Sequence, residues 1–261
     1  MRKLYLLLSV SLLLLIGAAC TKQVATTQNQ NSSALVNTAQ TNENPHSANA
    51  NAQVVSDTHF LTADVLPVNL VGQISKFRSG SGHDFNDGTE TCRSMKHYLD
   101  PKTRQLLTPD ELLNEKYPAT VPVYSPTTGT IREIQTEQFP LGKQIHIAPG
   151  MASDYNIRLF HIYPLATLKV GDNVAAGQQI GTIKAVQGFD IAVEKFGAQR
   201  PSLLSMFEVM NEQQLAAWAA RGVTPANAII SKAARDADSL TCNGEAFTTS
   251  QENAKDWVKL K

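Results

Sequence analysis

"VPVYSPTTGTIREI", residues 121–134, and "LKVGDNVAAGQQIGTI", residues 168–183, decide the fold. In the first, Val121, Val123 and Tyr124 lead into a Pro-Thr-Thr-Gly turn at 126–129, and Ile131 and Ile134 follow among charged residues. In the second, three short apolar pieces are broken at Gly171, Gly177 and Gly181. Between them, "KQIHIAP" (143–149) sets Ile145 and Ile147 against Gln144, His146 and Ala148. "YNIRLFHIYPL" (155–165) sets Ile157 and Leu159 against Arg158 and Phe160. A period of two marks half-buried strands, and short strands closed by Gly, Pro or Asp-Asn predict a compact antiparallel sandwich or barrel. On this pattern His146 points outward, to solvent.

The two halves resemble a lipoyl-like barrel-sandwich hybrid, a mainly β fold. "GHDFND" upstream (82–87) and "LFHIYPL" between the halves (159–165) narrow the match. The order resembles the lysostaphin/LytM-type zinc endopeptidases, which cut peptidoglycan cross-bridges, over roughly residues 80 to 195. That resemblance implies zinc on the His and Asp of an H-x-x-x-D motif, here His83 and Asp87, and on the last His of an H-x-H strand. It implies a further His that polarises the attacking water, a position filled by His161. The H-x-H strand is replaced by "FDIAVEK" (189–195), with Asp190 for the first His and Ala192 for the zinc ligand. A catalytic zinc needs three protein ligands and an open position for water, and alanine donates nothing. Substitute ligands on hand are His97, Asp84, Asp190 and Glu194. The bland accounts stand beside these: His83 capping its own loop or bonding Asp87, and His161 as a satisfied strand histidine. "GHDFNDG…CRSMKHY", "DIAVEK" and the tail to "CNGEAF" resemble an uncharacterised, degenerate branch of the same superfamily.

The chain opens "MRKLYLLLSVSLLLLIGAAC": two basic residues, an apolar run, small residues, then Cys20. This pattern reads as a secretory signal, too short for a comfortable membrane span. Small residues before a cysteine resemble a bacterial lipobox, with Gly17 where Leu is usual, which makes residues 1–20 a lipoprotein signal and Cys20 the lipidated residue. The alternative is an ordinary cleaved signal. Thr21 after the cysteine implies the outer membrane, facing the periplasm. Residues 21–58 are Asn, Gln, Thr, Ser and Ala, too polar to pack, and read as a disordered tether.

Residues 59–200 then form the β domain and 201–261 a helical C-terminal extension. Lys plus Arg number 23 and Asp plus Glu 23, so the formal net charge is zero and no basic stripe awaits nucleic acid. With Cys20 spent on lipid, Cys92 and Cys242 are left in an oxidising compartment, either to pair as a disulfide or to lie apart as buried thiols. In the extension, Leu203, Leu204, Phe207, Met210, Leu215 and Trp218 fall near helical spacing, with Ser202 as N-cap and Gly222 as C-cap. A second short helix is expected in 224–239.

Three functions compete on these residues. The first is a catalytically dead module that binds peptidoglycan or regulates a cell-wall hydrolase, and the second is a working zinc peptidase with a rearranged third ligand. The third, an efflux adaptor, needs a long helical hairpin between the halves, where residues 135–167 are strand-like and broken by prolines. A biotinyl or lipoyl carrier needs its lysine at a hairpin tip, but the only Met-Lys pair, Met95-Lys96, lies upstream of both halves.

Overall fold

The computed structural model describes residues 58–113, 116–137, 142–197, 199–248 and 254–261. The signal-like segment, Cys20 and the tether through residue 57 lie outside the described residues. The strands are β1 (Val71–Ser75), β2 (His97–Pro101), β3 (Ala119–Tyr124), β4 (Gly129–Thr136), β5 (Lys143–Pro149), β6 (Tyr155–Pro164) and β7 (Asn173–Val174). They continue as β8 (Gln179–Lys184), β9 (Phe189–Lys195), β10 (Ser202–Leu204), β11 (Cys242–Asn243), β12 (Ala246–Phe247) and β13 (Trp257–Lys259). Eleven of them join one antiparallel sheet whose main path runs β13-β1-β2-β9-β6-β5-β4-β7. The fold is mainly β, as the alternation predicts.

The alternating residues sort by face. Ile131, Ile145, Ile147, Ile157, Leu159, Ile180, Ile183, Ile191 and Val193 meet in one core. Each such side chain contributes roughly 1.5–3 kcal/mol by leaving water. On β9 the other face carries Asp190, Ala192 and Glu194, and β6 pairs Phe160, Arg158 and Asn156 directly against them. The motif glycines are required by close approach. A Cβ on Gly129 would stand 2.2 Å from the Ala148 carbonyl oxygen, and one on Gly181 2.5 Å from the Ile162 side chain.

Strand β6 changes partners along its length. It pairs β9 as far as Phe160↔Asp190, then β8 from Tyr163↔Thr182. Opposite β5, the four residues Leu159 to Ile162 of β6 span the three residues Lys143 to Ile145 of β5, so one residue is extra. His161 sits within that span with φ +64°, a left-handed conformation uncommon in a non-glycine residue. A one-residue bulge of this kind bends a strand and re-aims a side chain.

The C-terminal residues depart from the expected long helix. Ser202–Leu204 is not a helix start but the short strand β10 on the edge of β9, and Met206–Glu208 is a 3₁₀ turn. The helix that forms is Glu212–Ala220, capped by Asn211, whose side chain accepts from the Gln214 amide; Ser202 caps nothing. Leu203 and Leu204 satisfy either period, and the free edge of β9 decides for the strand. Gly222 does follow the helix with φ +84°, as a C-terminal glycine should. The expected second helix is two short ones, Pro225–Ala228 and Lys232–Ala237, behind Thr224 and Ser231. At the end of the chain, β13 pairs with β1.

Cys92 and Cys242 form a disulfide. It fastens the β11–β12 hairpin to the loop that joins β1 to β2. At the hairpin's tip the Glu245 carbonyl accepts the Asp84 amide, at 2.7 Å. Among the described residues no helix is long and apolar enough to cross a membrane.

Candidate functional site

The β1–β2 loop, β2, β6 and β9 deliver a line of buried charge. On β9, Asp190 is 2 % exposed and receives the Lys96 ammonium at 2.7 Å. The same ammonium lies 3.2 Å from His83 Nε2. It also sits 4.4–4.9 Å from the ring centres of Phe160, Tyr98 and Phe85, an aromatic box that favours a cation. With Lys96 donating to Nε2, His83 is the neutral tautomer, and its Nδ1–H donates to the Asp84 carbonyl at 3.2 Å.

His161 lies on the other side of Asp190. Its Nε2 is 3.5 Å from the Asp190 carboxylate and its Nδ1 is 2.7 Å from Glu137. Desolvation alone would lower the imidazole pKa. The two carboxylates, Asp190 foremost, outweigh it and push the value up to about 9. His161 is therefore an imidazolium at neutral pH. Burial likewise acts to raise Asp190, but Lys96 and His161 hold it far below the usual carboxylate range. Burial, seconded by Lys96, keeps His83 below the ordinary histidine value and so uncharged.

The other predicted site residues go elsewhere. Asp87 turns away from His83: its carboxylate accepts from the Thr89 amide and hydroxyl and from the Leu203 amide. Against a desolvation cost, those bonds lower its pKa. Asp84 caps its own loop by accepting from Asn86 and from the Arg93 amide. Glu194 pairs with Arg158 at 2.9 Å and accepts from Asn156 at 2.8 Å. Asp87 and Glu194 line a separate hollow of about 210 Å³ with Arg158 and Arg200.

His97, the expected neighbour of the site, is buried away from it. Its Nδ1 bonds the Ser75 carbonyl at 2.8 Å and its Nε2 the Ser205 hydroxyl at 2.7 Å. Burial pushes it down to about 4, so it is neutral. In the β2–β9 pairing His97 stands opposite the core residue Ile191, whereas Tyr98 stands opposite Asp190. His146, expected in solvent, is 9 % exposed and lies beside Gln144 and Asn156. The Arg158–Glu194 network roofs that sheet face and covers it.

These donors do not fit zinc. The Nε2 of His83 is engaged by an ammonium, and Asp87 is turned to Thr89 and Leu203. Ala192 is packed in an apolar cluster with Phe77, Met95, Phe160 and Leu203. Among the described residues no three His, Cys, Asp or Glu side chains converge as a metal site. As general bases the two histidines are unavailable, because His161 is protonated and the His83 Nε2 lone pair faces the Lys96 ammonium.

Two members of this network escape sequence reasoning. Lys96 sits in "CRSMKHY" beside His97, and nothing local says that it crosses to a residue 94 positions away. Glu137 follows β4 without any motif. The only signal for either was charge balance, since a buried Asp190 on an apolar strand requires a buried cation.

Beside the charge line opens a cleft of about 910 Å³, reached by His161, Asp190 and Tyr98 from the network. Its wall is completed by Gln73 of β1, Asp100 of β2, Lys102 just after β2, and Trp257 and Lys259 of β13.

No family model matches this chain, and no curated protein matches it. Among solved structures it is similar to a candidate LytM glycyl-glycine endopeptidase from Ruminococcus gnavus, at 17% identity and TM-score 0.32, over 43% of this chain. It is similar to the catalytic domain of the antimicrobial peptidase lysostaphin from Staphylococcus simulans, at 16% identity and TM-score 0.33, over 52% of this chain and 90% of that one. It is similar to Helicobacter pylori Csd3 at 16% identity and TM-score 0.36, over 67% of this chain. The chain spans 44% of the R. gnavus protein and 38% of Csd3.

Proposed function

We propose that this chain is a lipid-anchored envelope protein that binds peptidoglycan through a peptidase-like β domain and does not cut it. The observation that carries the reading is the Lys96 ammonium, held between His83 Nε2 and the Asp190 carboxylate. It places a fixed positive charge on the nitrogen that would ligate zinc. Ala192, inside an apolar cluster, supports the same reading, and so does Asp87 turned aside. A site with its cation built in is charge-complete without metal, and it retains a cleft. The signal-like start and Cys20 support an outer-membrane anchor that leaves the domain in the periplasm.

The test pairs metal with wall. The purified chain is loaded with zinc, desalted and assayed by elemental analysis beside a His83→Ala control, then incubated with purified sacculi. The expected result is no zinc beyond the control, sedimentation with sacculi, and no soluble wall fragments released. Stoichiometric zinc that disappears in His83→Ala overturns the non-hydrolytic reading. The anchor is checked by fractionation: Cys20→Ser should move the protein from the membrane to the soluble fraction.

A further inference from the structure

We infer that the 910 Å³ cleft is a binding site for a short peptide bearing a free carboxylate, and that Lys102 and Lys259 receive that carboxylate. The inference rests on the wall-binding reading for the identity of the peptide, but its site is argued from the cleft alone.

The charges lining the cleft are unequally matched. Asp100 accepts from Gln73 at 2.9 Å and pairs with Arg104 at 3.3 Å. Asp190 is matched by Lys96 and His161. Lys102 and Lys259 are both exposed and have no ion-pair partner among the described residues. After the internal pairs cancel, the cleft presents two ammonium groups, and the ligand they favour is an anion. Carboxylate contacts from lysine are charge-assisted and strong for their number.

The floor adds a demand for amide groups. Gln187 donates through Nε2 to the His161 carbonyl at 2.7 Å, which fixes the direction of its amide. Its Oε1 is then buried without a partner, and so is the Ser81 hydroxyl. Both residues are 2 % exposed and both line the cleft. Buried polar atoms are nearly always satisfied, so two orphans in one cleft mark where a ligand's hydrogen bonds go. Gln187 Oε1 accepts a peptide N–H, and the Ser81 hydroxyl serves an N–H or a C=O. Trp257, from β13, supplies an aromatic wall for side chains. Trp257 and Lys259 lie outside the stretch that resembles the peptidases, so this part of the cleft belongs to this chain.

The experiment uses the full chain in detergent and the synthetic tetrapeptide L-Ala–γ-D-Glu–meso-diaminopimelate–D-Ala, titrated calorimetrically as the free acid and as the fully amidated form. The free acid should bind, and the amidated peptide should bind at least about tenfold more weakly, the scale of losing a hydrogen bond to a charged group. Lys102→Ala/Lys259→Ala should show a similar loss. Lys102→Arg/Lys259→Arg should keep binding, and unchanged melting of both double variants excludes misfolding. Equal binding of acid and amide overturns the inference, as does an undiminished Lys102→Ala/Lys259→Ala variant. Sedimentation with sacculi separates the two readings. Retention on sacculi without peptide binding overturns the cleft and leaves the wall reading. Peptide binding without retention leaves the cleft and overturns the wall reading.

Discussion

At the scale of single residues, two histidines of opposite behaviour set the response to pH. His97 is fully buried and neutral, with its value lowered to about 4. In the unfolded chain it titrates near 6.5. Below that point the unfolded state binds a proton that the folded state refuses, so stability is lost as pH falls from about 6.5 toward 4. His161 works in the other direction. Its folded value lies near 9, above the unfolded 6.5, so its contribution is complete below 6.5 and is lost as pH rises through about 9. Asp190, held low, loses its contribution only as pH falls through the acid range below 3.8. Urea unfolding across pH 4 to 10 should therefore show greatest stability near pH 6–7, with decline on both sides. For His161, an imidazole carbon proton followed by NMR should titrate well above neutrality. A His161 that titrates near 6.5 contradicts the carboxylate sandwich.

Lys96 makes a sharper prediction at the same scale. Its ammonium is 2 % exposed and matched chiefly by Asp190. Removing one member of a buried pair strands the other, at a cost of about 3–5 kcal/mol. Lys96→Met should therefore be strongly destabilised in urea. Lys96→Met/Asp190→Leu should recover part of the loss, because the carboxylate no longer sits unpaired and His161 keeps Glu137. If the double variant is as damaged as the sum of the singles, the pair is not the coupled unit described above.

At the scale of elements, strand β9 carries the question of whether a metal site can be built here. Ala192 lies between Asp190 and Glu194 on one face of β9, beside Arg158 of the neighbouring strand β6. An imidazole there must displace Phe160, Met95 or Leu203, and overpacking of this kind costs about 1–3 kcal/mol. Ala192→His alone should lower stability by about that amount and gain no stoichiometric zinc on elemental analysis, because Lys96 still holds His83. Zinc bound by Ala192→His would show that the ammonium is easily displaced.

The same elements show what the sequence made legible. Turn glycines at 129 and 181 and isoleucine alternation on β5 and β6 are local signals, and they place the strands correctly. The His161 bulge is not local, for it arises where β6 leaves β9 for β8. The β10 strand was hidden for a related reason. "SLLSMFEVM" is compatible with either period, and only the open edge of β9 selects one. The composition of "FDIAVEK" already shows a carboxylate and an alanine on that strand and no histidine. Lys96, the cation that meets Asp190, became visible only once β2 and β9 were paired in space.

At the scale of the whole molecule, the chain is closed on itself twice near the candidate site. Strand β13 pairs with β1, and the cysteine bridge joins residues 150 apart in sequence. Asp256, just before β13, accepts the Gly80 amide at 2.7 Å and Arg235 at 2.9 Å, both buried. The loop carrying His83 and Lys96 is thus held from the C-terminal side by a hairpin, a bridge and a carboxylate. Removing the bridge releases a long loop in the unfolded state, and native disulfides of this kind contribute about 2–5 kcal/mol. In a chain of this size each kcal/mol moves the melting temperature about 2–4 °C. Cys92→Ser/Cys242→Ser should therefore melt about 4–20 °C lower than the parent, and reductant should do the same to the parent and nothing to the variant. The damage should also be local. Amide exchange should accelerate first in residues 81–96 and in the β11–β12 hairpin, while β5 and β6 stay protected, because the loop is tied to the sheet largely through these C-terminal contacts. Uniform acceleration across β5 and β6 would mean instead that the bridge stabilises the sheet as a whole. The candidate site would then have no separate unit to support it.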